Sequence, residues 1–257
     1  MKHIASRENP LVKFLTRLSR QTTSYRRESQ YWLEGDHLCR AALLQGVQPR
    51  LAVFSESCWH QQGETWNVPP DLLVLLPDPL FAQISGLRSP AAMGFVMDQT
   101  LSPPIDPYLQ SLVLDRVQDA GNVGSMLRSA AAFGFRQVLS LQGTASLWSP
   151  KVLRSAMGAH FSLQLHEGLT EKDIDRLQVP LVVTAVHDGT FLHQLLARSG
   201  LPAVCAWVMG HEGQGVSPTL IARAHHRVRI AQPGGEESLN VAAAAAICLH
   251  ASATFKP

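Results

Sequence analysis

Ile230-Ala-Gln-Pro-Gly-Gly-Glu-Glu-Ser-Leu-Asn-Val241, running into Ala242–Ala246, Ile247, Cys248 and Leu249, is the stretch whose reading decides the fold of this 257-residue chain. His226–Ile230 reads as a strand, the paired glycines as a loop, and a helix is expected to begin near Ser238. Ser238 suits an N-cap, because a serine hydroxyl accepts from a free amide of the first turn. Glycines in the loop let backbone approach a ligand with no Cβ in the way. Five consecutive alanines then give a helix of high propensity and thin profile, suited to close packing. Taken alone, the pattern fits a loop and a buried helix as well as it fits a binding site.

Two further glycine-rich loops follow apolar runs upstream. Ala206-Trp-Val-Met-Gly-His-Glu-Gly-Gln-Gly-Val-Ser217 is an apolar strand entering a loop at Gly210, with Pro218 opening a helix. Strand Leu112–Asp115 leads to Asp119-Ala-Gly-Asn-Val-Gly-Ser-Met-Leu-Arg-Ser-Ala-Ala-Ala-Phe-Gly134, where Val123, Met126, Leu127, Ala130 and Phe133 mark a buried helical face. Asn122 reads equally as that helix's N-cap, and Gly134 as its stop. Gly121, Gly124 or Ser125, and Arg128 fall on one side, leaving the guanidinium room to reach a ligand. Strand Gln137–Leu141, Ser149-Pro-Lys-Val-Leu-Arg-Ser-Ala-Met-Gly-Ala159, a helix near Glu171–Leu177, strand Leu181–Val186 and helix Phe191–Arg198 continue an α/β alternation. None of the loops is a Gly-x-Gly-x-x-Gly dinucleotide fingerprint. A Walker phosphate loop, a His-Glu-x-x-His zinc helix and a Gly-x-Ser-x-Gly elbow are also missing from the sequence.

The three loops together resemble the motifs of the SpoU/TrmH family of RNA ribose 2′-O-methyltransferases, within the SPOUT superfamily. Asn122, Gly124 and Arg128 match the first motif, Gly210, Glu212, Gly213 and Gly215 the second, and Gly234, Ser238, Leu239, Asn240 and Val241 the third. Arg154 and Ser155 resemble the family's Arg-x-Ser-Ala-Gly-Ala, with Met157 as a departure. The family writes Ile-Pro-Met where this chain has Ile230-Ala231-Gln232, and Asn, Ser or Ala where His211 stands, so His211 is read as a loop residue rather than a ligand.

The resemblance implies an α/β catalytic domain with a parallel sheet, closed by a trefoil knot that composition or periodicity would never suggest. It implies S-adenosylmethionine held largely by backbone at Gly210, Ile230 and Leu239. Methyl transfer to a ribose 2′-hydroxyl is expected to involve Arg128, Asn122, Glu212, Ser238 and Asn240. Whether Arg128 serves as base or only orients phosphate and hydroxyl stays open at this point, since a guanidinium is normally protonated. The family's sites form in a homodimer, the partner being rRNA or tRNA. A non-catalytic RNA-binding protein retaining the scaffold is the alternative, and methylation of a base or a small molecule a weaker one.

The N-terminal part is read separately. Asn9 and Pro10 suit the start of a helix carrying Leu11, Phe14, Leu15 and Leu18 on one face and Lys13, Arg17 and Arg20 on another. Tyr31–Glu34, Leu51–Ser55, Leu72–Leu76 and Gly94–Met97 read as strands, with helices at Asp36–Gln45 and Pro79–Ser85 between them. Asn9-Pro-Leu-Val-Lys13 and Glu34-Gly35 resemble the family's small α/β/α, ribosomal-protein-like RNA-binding domain. Residues 1–100 are therefore expected to bind substrate, 101–107 to be a Pro-rich linker, and 108–257 to form the methyltransferase domain.

Composition agrees with this reading. The chain is 46% hydrophobic and 16% charged, with a net charge of only +2. Within residues 1–50, however, nine Lys/Arg stand against four Asp/Glu, an end suited to phosphate contacts. Cys39, Cys58, Cys205 and Cys248 form no Cys-x-x-Cys pair, so reduced thiols, no metal and a cytoplasmic setting are expected. The start lacks a signal-peptide core, and the charge-free run 238–255 contains Ser, Asn, His and Thr, reading as a buried helix rather than a membrane span.

Overall fold

A computed structural model of the chain describes residues 1–87, 89–234 and 239–255, which divide into two compact units. The first holds Met1–Leu101 together with Trp148–Phe161. Its strands are β1 (Lys2–His3), β2 (Gln30–Glu34), β3 (Leu51–Ser55), β4 (Leu73–Leu76) and β5 (Met93–Asp98), in the order β1-β4-β3-β5-β2. β1, β4 and β3 run parallel, whereas β5 is antiparallel to both β3 and β2.

The helix Pro10–Arg20 starts where its sequence dictates. The Asn9 side chain accepts from Leu11 N–H at 2.9 Å, and Pro10 occupies the first helical position. Val12, Leu15 and Leu18 enter a core with Trp32, Val53, Val74, Phe81 and Val96, while Lys13 and Arg20 stay exposed. Gly94 is required under Trp32, since a Cβ there would lie 2.3 Å from the indole.

The helix Pro150–Ala156 packs in this first unit, against β2 and the helix Pro10–Arg20. Residues 148–161 therefore do not join the unit formed by 102–147 and 162–257, as an unbroken 108–257 domain requires. The cause is aromatic. Trp148 lies 4.7 Å from Tyr31 of β2 and 5.0 Å from His160, ring centre to ring centre. Met157 closes this helix at φ +51°, a left-handed position that favours glycine.

The second unit is an all-parallel seven-stranded sheet. Its strands are β6 (Ser111–Asp115), β7 (Gln137–Leu141), β8 (Gln164–Leu169), β9 (Leu181–Thr184), β10 (Thr190–Phe191), β11 (Ala206–Gly210) and β12 (His226–Arg229), ordered β10-β12-β9-β11-β6-β7-β8. β6, β7 and β11 are buried at every position; β11 and the centre of β6 read as apolar runs, whereas β7 also buries Gln137 and Ser140. Pro-rich residues 102–106 carry no regular structure but are fastened to this unit. Ser102 Oγ donates to Leu165 O and accepts from Leu165 N–H, both at 2.9 Å, and Asp106 N–H donates to Gln137 Oε1 at 2.8 Å.

Two helices complete the site's framework. Ala120–Ala132 buries Val123, Met126, Leu127 and Ala130. Phe133, expected on the same face, is half-buried with its ring edge-on to His250 at 5.4 Å. Val241–Thr254 lies against that helix and β11, and the fully buried Trp207 donates its indole N–H to Ser252 Oγ at 2.7 Å.

Several boundaries differ from the sequence reading. Asp119, not Asn122, caps its helix, accepting from Asn122 N–H at 2.9 Å. The C-terminal helix starts at Val241 with Asn240 as N-cap, and Ser238 lies outside the described residues. β12 ends at Arg229, β9 ends at Thr184, and Glu171–Arg176 is a 3-10 helix. The helices Ser24–Glu28 and Glu56–Gln62 and strand β8 were not expected.

Candidate active site

β12, β9, β11 and β6 are neighbours running the same way, so their C-terminal ends share one edge of the sheet. That is where open parallel sheets place ligands. A cavity of about 950 Å³ lies there, within the size range of small-molecule sites. Thr184–Asp188 from the end of β9, Gly210–Val216 from the end of β11, and Val228, Ile230 and Gln232 around the end of β12 line it. Leu239, Val241 and Ala244 supply a further wall. Val186 and Leu239 are apolar side chains 45% and 39% exposed, surface available to a flat apolar ligand.

The β11 loop closes on itself. His211 and Gly215 exchange backbone hydrogen bonds of 3.0 and 2.8 Å. His211 Nδ1 accepts from Gly213 and Gln214 N–H at 2.9 and 3.2 Å, so this histidine shapes the loop, as its sequence position suggested. A Cβ on Gly210 would lie 2.2 Å from both the Gly215 carbonyl carbon and the Val216 nitrogen. Only glycine permits that closure.

Polar contacts join all three glycine loops. The Glu212 carboxylate accepts from Gln118 N–H at 3.1 Å, Asp119 N–H at 3.0 Å and Asn122 Nδ2 at 3.0 Å. Asn122 Oδ1 accepts from Asn240 Nδ2 at 3.0 Å, and Asn240 Oδ1 caps Ala242 and Ala243 N–H at 2.9 and 3.3 Å. Partial burial pushes the Glu212 carboxyl up, but the Asn122 and backbone hydrogen bonds outweigh it and hold the group below the usual carboxylate range. Arg128 is exposed and makes no hydrogen bond or ion pair with the described residues.

Of the sequence-derived site residues, Gly210, Glu212, Ile230 and Leu239 therefore line the cavity. Asn122 and Asn240 reach it through Glu212, and Arg128 stands outside its lining. Gln232, one of the departures from family habit, lines it too, whereas Ala231 is exposed. Sequence reasoning missed Asp115, Arg116, Gln214 and the 184–188 segment. The one signal for the first was an acid closing an otherwise apolar strand.

Thiol chemistry does not fit the site. Burial pushes the Cys205 and Cys248 thiols up to about 12, far from thiolates at neutral pH. Among the described residues no group of three or more His, Cys, Asp or Glu is placed to hold a metal ion, and no helix is long and apolar enough to cross a membrane.

Comparison with known proteins decides the family. The model of the SpoU rRNA Methylase family matches residues 110–250, more than half of the chain. The chain belongs to the SpoU rRNA methylase family. Within this family it is 32% identical over 262 aligned residues to an uncharacterized tRNA/rRNA methyltransferase of Synechocystis, covering 96% of this chain and 92% of that one. It is 29% identical to the Bacillus subtilis 23S rRNA (guanosine(2553)-2′-O)-methyltransferase RlmP, over 97% of this chain and 98% of that protein. The crystal structure of an AdoMet bound rRNA methyltransferase from Sinorhizobium meliloti superposes with a TM-score of 0.82 at 25% identity, covering 98% and 97% of the two chains. This SpoU family chain thus shares its architecture along nearly its whole length with an AdoMet-binding relative.

Proposed function

We propose that this chain transfers the methyl group of S-adenosylmethionine (AdoMet) to a ribose 2′-hydroxyl of structured rRNA or tRNA, acting as a cytoplasmic homodimer. The observation that carries this reading is the hydrogen-bonded chain Glu212–Asn122–Asn240. It ties the three family motifs to the rim of one cavity at the C-terminal edge of a parallel sheet. The lining fits the cofactor: apolar walls at Val186, Ile221, Ile230 and Leu239 suit an adenine ring, and the closed 210–215 turn presents backbone rather than side chain. The family resemblance further implies a trefoil knot in which the C-terminal segment threads through a loop.

The cofactor supplies a methyl group already activated on sulfonium. The protein's work is then to bind, align and exclude water. Gly210, Ile230 and Leu239 hold the cofactor. Glu212 acts as a strut, its carboxylate committed to three N–H donors and poorly suited to take a proton. Asn122 and Asn240 fix the meeting of the first and third motifs. Arg128, a permanent cation without a protein partner among the described residues, binds an RNA phosphate and orients the hydroxyl. A second copy covers Ile247, 42% exposed on the C-terminal helix, and completes the site. Residues 1–101 with 148–161 capture RNA through the cations of the helix Pro10–Arg20 and its neighbours.

Incubation of rRNA and tRNA with methyl-labelled AdoMet, followed by alkaline hydrolysis, tests the reaction. Label retained in alkali-resistant dinucleotides is expected, because a 2′-O-methyl group blocks cleavage of the next phosphodiester. Label released as base-methylated mononucleotides, or no transfer to any RNA, contradicts it.

A further inference from the structure

The cavity loop 210–217 is braced from behind by a pair of residues that methyl transfer does not itself require. Asp115, closing β6, is only 1% exposed. Its carboxylate accepts from Ser217 N–H at 2.6 Å and from Arg116 Nε at 2.9 Å. Arg116 adopts φ +59°, a left-handed conformation that a non-glycine residue keeps only where its surroundings enforce it. From there its Nη1 donates to Gln214 Oε1 at 3.0 Å and its Nη2 to Gly215 O at 3.4 Å.

This arrangement fixes the Gln214 amide. A guanidinium has donors only, so the side of the amide facing Arg116 is its oxygen. The NH2 group is turned the other way. Gln214 lines the cavity, and its Nε2 has no acceptor among the described residues. Arg227, the cation of the lining, is already paired with Asp188 at 2.6 Å. An anionic ligand group entering the cavity beside the 210–216 loop therefore meets an oriented neutral donor.

Resting on the AdoMet reading above, we propose that Gln214 donates a hydrogen bond to the carboxylate of the cofactor's methionine tail, with Arg116 as its positioning residue. The adenosine part faces the apolar walls and is not read by this contact. Gln214 then discriminates between ligands with and without the amino-acid tail, and Arg116 acts only through Gln214 and the loop.

Calorimetric titration of the full chain with AdoMet and with 5′-methylthioadenosine, which keeps the adenosine and thioether but lacks the tail, tests this. Gln214→Ala should weaken AdoMet about tenfold, the loss expected for one hydrogen bond to a charged acceptor, and change 5′-methylthioadenosine less than about twofold. Arg116→Ala should shift the ratio of the two affinities the same way, and the double variant should be no worse in that ratio than Gln214→Ala alone. A merely structural role for Arg116 lowers both affinities together and leaves the ratio unmoved. Gln214 is exposed, so its replacement leaves the thermal transition in place. Wild-type affinity for AdoMet in Gln214→Ala, or equal loss for both ligands, overturns the proposal. A wild-type chain that binds neither ligand overturns the cofactor reading and this contact with it.

Discussion

Replacing Glu212 probes the strut between the first and second motifs. In Glu212→Ala three hydrogen bonds disappear: those from Gln118 N–H, Asp119 N–H and Asn122 Nδ2. Each contributes about 0.5–1.5 kcal/mol net, and exposure of Gln118 and Asp119 to water puts the sum near the lower end, about 1.5–2 kcal/mol. Amide exchange at Gln118 and Asp119 should accelerate by roughly 10- to 30-fold, and the melting temperature of the unit should fall by about 3–8 °C. Glu212→Gln separates the two amides. Its remaining oxygen keeps Asp119 and Asn122, while its NH2 faces Gln118 N–H, so only Gln118 should lose protection. The carboxyl lies below its usual range when folded, so its contribution is complete above that range and disappears as pH falls through the folded value. Glu212→Ala should lack this acid-side loss. Hydrogen exchange read by NMR measures the protection of both amides, and thermal unfolding across pH measures the melting temperature and the acid-side loss. Unchanged exchange at both amides in Glu212→Ala would refute the strut.

Further outcomes follow from the same geometry. Arg128→Ala should abolish methyl transfer while leaving AdoMet affinity within about twofold, since the side chain stands outside the cavity lining; parallel activity and calorimetric measurements check the split. Gly210→Ala should weaken AdoMet by more than about tenfold, because the added methyl meets backbone at 2.2 Å and the loop must open; calorimetry reads it. Lys13→Gln with Arg20→Gln should weaken RNA binding and lower the slope of log affinity against log salt by about one for each phosphate no longer neutralised, as filter binding across a salt series would show. These substitutions probe the first unit better than deleting residues 1–101, which strips Trp148 of Tyr31 and the helix Pro150–Ala156 of its core.

The buried strands of the catalytic sheet were legible because their physics is local, whereas β8, mostly half-buried, was not. Strands buried on both faces read as apolar runs, and Pro10, Asn9 and Pro218 mark helix starts wherever they fall. What escaped depended on partners far away in sequence. Residues 148–161 belong with the N-terminal unit because Trp148 finds Tyr31, 117 positions upstream by their numbering. Asn240 rather than Ser238 caps the last helix; both are good capping types, and helix propensity alone does not choose between neighbours two residues apart. Asn122 had two readings, cap or site, and Asp119 takes the first, freeing its amide to meet Glu212 and Asn240. Arg116 gave no signal at all. Its left-handed backbone and its reach to Gln214, 98 positions away, exist only in the folded chain.

Three segments spread over some sixty positions, Thr184–Asp188, Gly210–Val216 and Leu239–Ala244, are held to form one cradle for AdoMet. Hydrogen exchange of the full chain with and without AdoMet tests it most directly. AdoMet should add protection in 184–188, 210–216 and 239–244 together, with little change on the strands of the first unit. Protection confined to one of these segments, or centred in the first unit, would contradict it.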